Sequence, residues 1–489
     1  MALSIEIEMM EPTAIRQGSM NKDSSWVCLE ECQSIITENQ MVLSSWGALK
    51  KSEVKKMKLA ENTRLQVNKR YISTLLSVFC MGVGQLFNGQ LIKGILLLIF
   101  NFVVINSVPF ILGNIYGLIT LGETAMEDHS LFLLVYGVLT VFLALIVIGI
   151  YIFNIRDAYK NGLVHDQGKE VPGFKESLKN IKEIGYSYFI LSPGLIAMLC
   201  FTILPLIYSI LIGFTNYDLY HLPPGNLIDW VGFENFREIF SITSWRTTFI
   251  RVGSWTVIWA ILSTLSTYGL GCLLAIILNN PRLKFRRIIR TLLILPWAIP
   301  AFVSILVWNG ALNTNFGIIN QLLETLFNIQ ATHWLTQTAL TRLAIILVNL
   351  WVGYPHAMIM ITGVLQGIPS DIYEAAIMDG VGPWQKFRYI TLPLLWFSMA
   401  PLMIMTFAYN FNNFTLIYLL NSGRPFEFGQ QGGAGGTDIL ISWIFKLTTE
   451  KNKYNYASAI SLIIFFILAG FSIYNFYRTR SFQEEEMLQ

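Results

Sequence analysis

The sequence predicts an all-α, polytopic membrane protein with eight transmembrane helices. Three observations carry that prediction. More than half of the 489 residues are hydrophobic, 54%, against 13% charged. Eight apolar runs come close to, or exceed, the ~20 residues that a helix needs to cross a bilayer. Lysine and arginine gather in alternate connecting segments, as they do when loops are sorted to the cytoplasmic side. The spans are expected at residues 91–112, 131–155, 186–214, 252–278, 288–308, 343–364, 392–420 and 456–477.

Residues 1–70 form a polar tail with a basic patch over residues 50–70. They carry no signal-peptide pattern of basic start, apolar stretch and small-residue cleavage site, which places the N-terminus in the cytoplasm. Residues 71–88 are apolar but short, and Gly82, Gly84 and Gly89 interrupt them. They are expected to form a re-entrant or interfacial piece, because a ninth span would put the basic tail outside. Eight spans starting inside make residues 156–185, 279–287 and 366–391 and the C-terminal tail cytoplasmic. Arg156, Lys160, Arg286, Arg287, Lys386 and Arg388 fall there. The loop between the first two spans and the stretch 310–341 have no Lys or Arg. Residues 421–455, on the external side, contain GQQGGAGG and are expected to be flexible by composition. The five cysteines show no zinc spacing, and two of them, Cys200 and Cys272, lie inside spans, so no disulfide framework is implied.

One polar stretch stands between two long apolar runs: EAAIMDGVGPWQKFRYITLPL, residues 374–394. Its chemistry predicts two short helices joined by a turn. Pro369-Ser370 offers a stop and an N-cap, with Asp371 and Glu374 in the first turn, where negative charge suits the helix dipole. Ala375 and Ala376 let another surface come close. Asp379-Gly380 ends the helix, because glycine tolerates positive φ. Pro383 suits the first position of the next helix, with Trp384, Phe387 and Ile390 near helical spacing. A charged amphipathic hairpin pinned between spans is suited to being gripped from the cytoplasm.

Catalysis is not indicated. The sequence has no G-x-x-x-x-G-K-[ST] phosphate loop, no G-x-S-x-G elbow and no H-E-x-x-H pair, and its histidines are scattered. No catalytic residue, cofactor, metal or nucleic-acid partner is expected. The spans contain no Asp or Glu, which argues against a proton- or sodium-coupled carrier with buried carboxylates and against a charged-ring channel. Uncharged polar groups do occur at depth. In FAYNFNNFTLIY, Asn410 and Asn413 share a helix face and Asn412 points elsewhere. Amides beside Tyr409, Phe411 and Phe414 suit a sugar, whose C–H faces stack on rings and whose hydroxyls bond to amides. Membrane asparagines also serve as interhelical ties, and the spacing leaves both readings open. In NLWVGYPHA, Gly353 and Pro355 offer a kink that opens a cavity, and His356 follows them, either as a ligand or as a satisfied residue of the bundle interior.

Hairpin and span together resemble the inner-membrane permease of carbohydrate ABC importers, the binding-protein-dependent transport components of MalF (maltose/maltodextrin) type. The signature of that family is EAA, three residues, Gly, nine residues, then Ile-x-Leu-Pro. Here it reads Glu374, Ala375, Ala376, Gly380, Ile390, Leu392 and Pro393, with every spacing kept. The resemblance implies a polar cytoplasmic tail over 1–70, a membrane segment over 71–185, a six-span permease core over 186–480 with its coupling loop at 367–391, and a short cytoplasmic tail over 481–489. It implies sugar contacts at Val352, Gly353, His356, Tyr409, Asn410 and Asn413. It implies coupling to an ATPase through Glu374, Ala375, Ala376, Asp379, Gly380, Ile390 and Pro393.

It also implies partners: a second, related permease, a cytoplasmic ATP-binding dimer and an extracellular sugar-binding protein, all set in membrane lipid. The expected function is ATP-driven import of maltodextrin-like oligosaccharide by alternating access. The alternatives are another plant-derived oligosaccharide and a self-sufficient secondary sugar carrier. His356 stands where the family pattern has an aromatic residue, which replaces stacking by hydrogen bonding. Residues 215–250 are too short for the large folded insertion of some Gram-negative members.

Overall fold

The computed structural model describes residues 68–280 and 283–478. Among them seven helices are long and apolar enough to cross a membrane, or up to eight if a bent pair of shorter helices counts as one span. No strand forms among the described residues, only the isolated bridges Thr215–Trp230 and Phe426–Gly435. The chain divides into two compact units. One comprises residues 1–105 with 149–181, and the other comprises residues 106–148 with 182–489.

In the first unit the apolar stretch after residue 70 makes two short helices, α1 (Lys69–Phe79) and α2 (Val83–Phe87), neither long enough to span. They are followed by α3 (Leu91–Thr120) and α4 (Ser130–Asp166), of which residues 91–105 and 149–166 belong to this unit. Polar side chains fix the short helices in place. The Asp166 carboxylate accepts from the backbone N–H groups of Lys69 (2.9 Å) and Arg70 (3.2 Å), which closes a helix start that lacks a cap of its own. Buried Gln85 donates to the Asn154 carbonyl (3.0 Å) and accepts from Ser77 (3.3 Å). Asn154 in turn accepts from the Gly82 N–H (3.3 Å) and donates to the Ser77 carbonyl (3.2 Å). Lys93 pairs with Asp157 at 2.6 Å. Buried polar groups persist only when paired, and this knot pairs them almost entirely within itself.

Further along the chain come α5 (Phe174–Met198), a π-helical turn (Leu199–Ile203) and α6 (Leu204–Ile212). Next come the short α7 (Glu234–Ser241) and the 37-residue α8 (Thr243–Asn279). The bent pair α9 (Arg286–Ala298) and α10 (Ala301–Ala311) and the short α11 (Ile318–Phe327) lead to α12 (Thr338–Gly367). The hairpin supplies α13 (Ser370–Met378) and α14 (Pro383–Lys386). The chain ends with α15 (Leu392–Phe411), α16 (Phe414–Asn421), α17 (Leu440–Thr449) and α18 (Tyr454–Arg478).

Helix α8 is the axis of the second unit, with α12 and α15 against it. Ala275, Leu278, Ala357, Met358, Ile361, Leu395 and Met399 bury one half of the seam, and Trp255, Trp259, Ala344, Ile345 and Val348 bury the other. Lipid tails are as apolar as leucine, so membrane helices associate by close packing, and small residues set how close. A Cβ added at Gly271 of α8 would meet the Ala357 Cβ at 2.8 Å.

Several expectations need correction. The span expected at 288–308 is not straight but bends by 90° between α9 and α10, where Pro300 lacks an N–H and holds Ile299 extended. At Gly353 and Pro355, where a kink is expected, α12 continues through both residues as one helix, with Tyr354, Pro355, Ala357 and Met358 buried against neighbours. The span expected over 392–420 stops at Phe411 and restarts at Phe414. Ser370 is the first helical residue rather than a cap, and only Asp371 lies in the first turn. The second half of the hairpin is no separate helix, since α14 passes through a π-helical turn (Phe387–Thr391) directly into α15. Both π turns stand two residues before a proline, Pro205 and Pro393, whose missing N–H breaks the α-helical ladder.

The glycine-rich stretch over 421–455 is folded, not loose. Asp438 and Lys446 form a buried pair at 2.6 Å with 0% and 1% side-chain exposure, and Asp438 also takes the Gly435 N–H and the Ser442 hydroxyl. Burial pushes the Asp438 carboxyl up from the usual carboxylate range, while Lys446 and the two hydrogen bonds pull it down. Gly423, at φ +71, leaves that carboxylate the space a Cβ would occupy. Arg342 clamps the Gly436 carbonyl with Nε (3.0 Å) and Nη2 (2.7 Å), and Trp255 donates to the Thr437 carbonyl (3.2 Å). Glycine here permits close approach to a polar centre, which composition alone reads as freedom.

Candidate functional site

The hairpin is built from its own backbone outward. Helix α13 closes with the Asp379, Gly380 and Val381 N–H groups returning to the Ala375, Ile377 and Ala376 carbonyls at 2.9–3.0 Å. That closure requires Gly380 at φ +73. A Cβ there would meet nothing within 4 Å, so the demand for glycine is conformational rather than steric. Gln385 accepts from the Gly382 N–H (3.0 Å), and the Tyr373 and Thr391 hydroxyls bond across the hairpin (2.9 Å). Between the two arms lies an open cleft of about 580 Å³ lined by Ile372, Ala375, Ala376, Asp379, Tyr389 and Ile390 among others. Ala376 is buried and Glu374 and Asp379 are exposed. Met378 is 87% exposed, and Ile377, Trp384 and Tyr389 are also out. Four of the seven motif residues expected to couple to an ATPase line this one cleft; Pro393 instead opens α15.

The second cluster centres on the break between α15 and α16. Asn413 caps α16, its Oδ1 accepting from the Leu416 N–H (3.2 Å), and its Nδ2 reaches the Asn349 Oδ1 at 3.5 Å. Asn410 is 3% exposed, donates to the Thr264 hydroxyl (3.1 Å), and lends its carbonyl to the Trp259 ring N–H (2.9 Å). Tyr409 is 68% exposed. Asn412 is exposed and returns its Nδ2 to the Ala408 carbonyl (3.2 Å). An amide has two N–H groups and two lone pairs, so Asn410 and Asn413 each serve a neighbouring helix with part of their capacity left.

On α12, Val352 is half-buried, Gly353 faces Thr267 (a Cβ would lie 3.1 Å from its methyl) and His356 is exposed with its ring 5.9 Å from that of Trp297. Asn349, Val352, Gly353 and His356 are spaced 3, 1 and 3, so they share a face. Asn349 therefore ties the face expected from one span to the break found in the other. The sequence reading passed over Asn349, Thr264 and Trp259. Asn349 is detectable as the lone amide of its apolar run, one helical turn before Gly353. The other two carry no such mark, because their role depends on which helix faces them.

A family model described as binding-protein-dependent transport system inner membrane component matches residues 268–479, which contain the hairpin, the break and the α12 face. The chain is 42% identical over 421 residues to the galactooligosaccharides transport system permease protein GanP of Bacillus subtilis (strain 168), covering 85% of this chain and 99% of that one. The chain belongs to the family of binding-protein-dependent transport system inner membrane components. This permease is also 41% identical over 416 residues to the maltodextrin transport system permease protein MdxF of the same organism, covering 83% of this chain and 95% of that one. A crystal structure of a bacterial ABC transporter involved in the import of the acidic polysaccharide alginate shares its fold. The TM-score is 0.52 and the identity 23%, over 62% of this chain and 98% of that chain. The permease is thus a multi-pass inner-membrane subunit of a binding-protein-dependent transporter, and not itself the catalyst.

Proposed function

We propose that the permease passes oligosaccharides of maltodextrin or galactooligosaccharide type across the cell membrane by alternating access, driven by ATP hydrolysed on a partner. The observation that carries this reading is the exposed motif cleft of the hairpin. Its apolar rim (Ile377, Met378, Trp384, Tyr389) lies in a segment whose two arms are pinned to α12 and α15. Burying such a rim is favourable, at about 1.5–3 kcal/mol for each large side chain removed from water. A cytoplasmic ATP-binding dimer fits there, with Glu374 and Asp379 as polar contacts and Gly380 shaping the turn. A rigid arm then moves α15, because the π turn at Phe387–Thr391 leaves no loop between them.

The cargo would meet Val352, Gly353 and His356 from α12 and Tyr409, Asn410 and Asn413 at the α15–α16 break. Tyr409 offers a stacking face, His356 a hydrogen bond, and the amides their remaining capacity. A second permease completes the path, and an extracellular sugar-binding protein delivers the cargo. Both chain termini and the hairpin lie in the cytoplasm by the distribution of Lys and Arg. The two relatives named for galactooligosaccharides and maltodextrin support the cargo class.

The test has two arms. Cells whose only oligosaccharide importer contains this permease should accumulate one of the two labelled sugars, and unlabelled sugar of the same class should compete. Accumulation of neither would remove the cargo assignment. Met378→Cys should form a crosslink to a cysteine in the ATP-binding subunit, and its absence across a scan of that subunit would remove the docking assignment.

A further inference from the structure

The connection before α9 concentrates charge that no ion pair among the described residues offsets. Lys284, Arg286 and Arg287 are exposed and Arg290 is half-buried. No Asp or Glu occurs between Glu238 and Glu324, and none of these four cations joins the ion pairs found among the described residues. Three of them sit in the first turns of a 13-residue helix, where the macrodipole is already positive and cations are disfavoured. The N-cap residue, Phe285, offers no side-chain acceptor. An apolar stripe runs away from this cluster. Ile288, Leu292 and Leu295 are exposed, and their spacing of 4 and 3 puts them on one helix face, with exposed Phe285 at the cap that starts the helix. The stripe is about 15 Å long at 1.5 Å per residue, half of the ~30 Å hydrocarbon core and therefore one leaflet deep.

We propose that the start of α9 binds an anionic phospholipid, its phosphate held by Lys284, Arg286, Arg287 and Arg290 and an acyl chain lying along the stripe below. Sorting a loop to the cytoplasm needs the positive charge alone. A leaflet-long apolar face beginning under that charge is what a lipid, and not a free anion, requires. The bound headgroup neutralises the helix start beside the 90° bend, and so steadies the segment that carries Trp297 against His356.

The assembled transporter, purified with its partner subunits, is the material for the test, with native mass spectrometry counting added phosphatidylglycerol and phosphatidylcholine. The wild type should retain phosphatidylglycerol in preference to phosphatidylcholine. The triple variant Arg286→Gln, Arg287→Gln, Arg290→Gln should retain roughly 100-fold less, at roughly fivefold per cation, and the corresponding Lys variant should keep most of it. Phe285→Ser with Leu292→Ser, all charges intact, should also lose the lipid, and millimolar inorganic phosphate should not displace it from the wild type. Equal retention of both lipids by the wild type, or unchanged phosphatidylglycerol on the Gln variant, overturns the proposal. So does displacement by phosphate, which would make this a free-anion site. Loss of the ATP-binding subunit from the Gln variant while the lipid stays also overturns it, by making the patch a protein contact. Should the Gln variant fail to assemble, the lipid preference of the wild type and the Ser variant decide.

Discussion

Two connections between spans invert what their compositions suggest. The stretch after α16 is rich in glycine yet closes around Asp438 and Lys446, both buried, with Arg342 and Trp255 holding its backbone. The hairpin after α12 is rich in helix formers and apolar side chains yet leaves Met378, Ile377, Trp384 and Tyr389 exposed. The first has paired its buried charges with each other and with its own backbone and hydroxyl groups. The second has folded its backbone to completion while keeping an apolar rim and a cleft open. The difference separates a scaffold from a handle: a finished polar core marks the former, and unspent apolar surface on a rigid backbone marks the latter.

The largest effect expected from disturbing this contrast is on the scaffold. Asp438→Ala leaves Lys446 charged and alone in the interior, at a cost of about 3–5 kcal/mol. Thermal unfolding of the purified complex should move down by several degrees, and adding Lys446→Met should recover most of the loss. Full stability of Asp438→Ala would mean that the glycine-rich stretch is not held by the pair. Next comes the handle. Gly380→Val forces a β-branched residue to positive φ, a local strain of about 1–2 kcal/mol. The complex should still reach the membrane while sugar uptake falls more than tenfold. Normal uptake by this variant would take the hairpin out of the mechanism.

Smaller effects are expected at the α15–α16 break. Asn413→Ala removes a helix cap worth about 1 kcal/mol, and Asn410→Ala removes the contact with Thr264. Uptake should weaken several-fold with assembly intact, read as uptake against complex yield. Loss of assembly with unchanged uptake per assembled complex would make both residues interhelical ties only. The smallest effect is at Asn412, whose side chain bonds only within its own turn. Asn412→Ala should change uptake less than twofold, and a larger drop would move the cargo to the exposed side of the break.

Much of this was legible in the sequence because membrane physics leaves few choices. Six of the eight expected spans appear as continuous helices, since an apolar run of bilayer length has little alternative to a helix. The Asp379-Gly380 stop and Pro383 at a helix start were legible because each rests on one residue's backbone preference. What escaped depends on contact between distant segments. The 90° bend at Pro300, the continuity of α12 through Pro355 and the break after Phe411 all follow from which neighbours fill the space around a proline or an amide. The burial of Asp438 needed Lys446 and Gly423 to arrive together, and composition over 421–455 could only report that glycine was plentiful. Asn410 and Asn413 share a face as their spacing indicated, but Thr264, Trp259 and Asn349 as their partners come from helices 64 to 151 residues away.

The central claim is that the hairpin draws its energy from a partner rather than from an ion gradient. Reconstitution tests this most directly. The purified permease placed alone in proteoliposomes should give no sugar flux, with or without a proton or sodium gradient. Adding the second permease, the ATP-binding subunit and the sugar-binding protein should produce uptake that depends on ATP. Sugar flux through the permease alone would contradict the account.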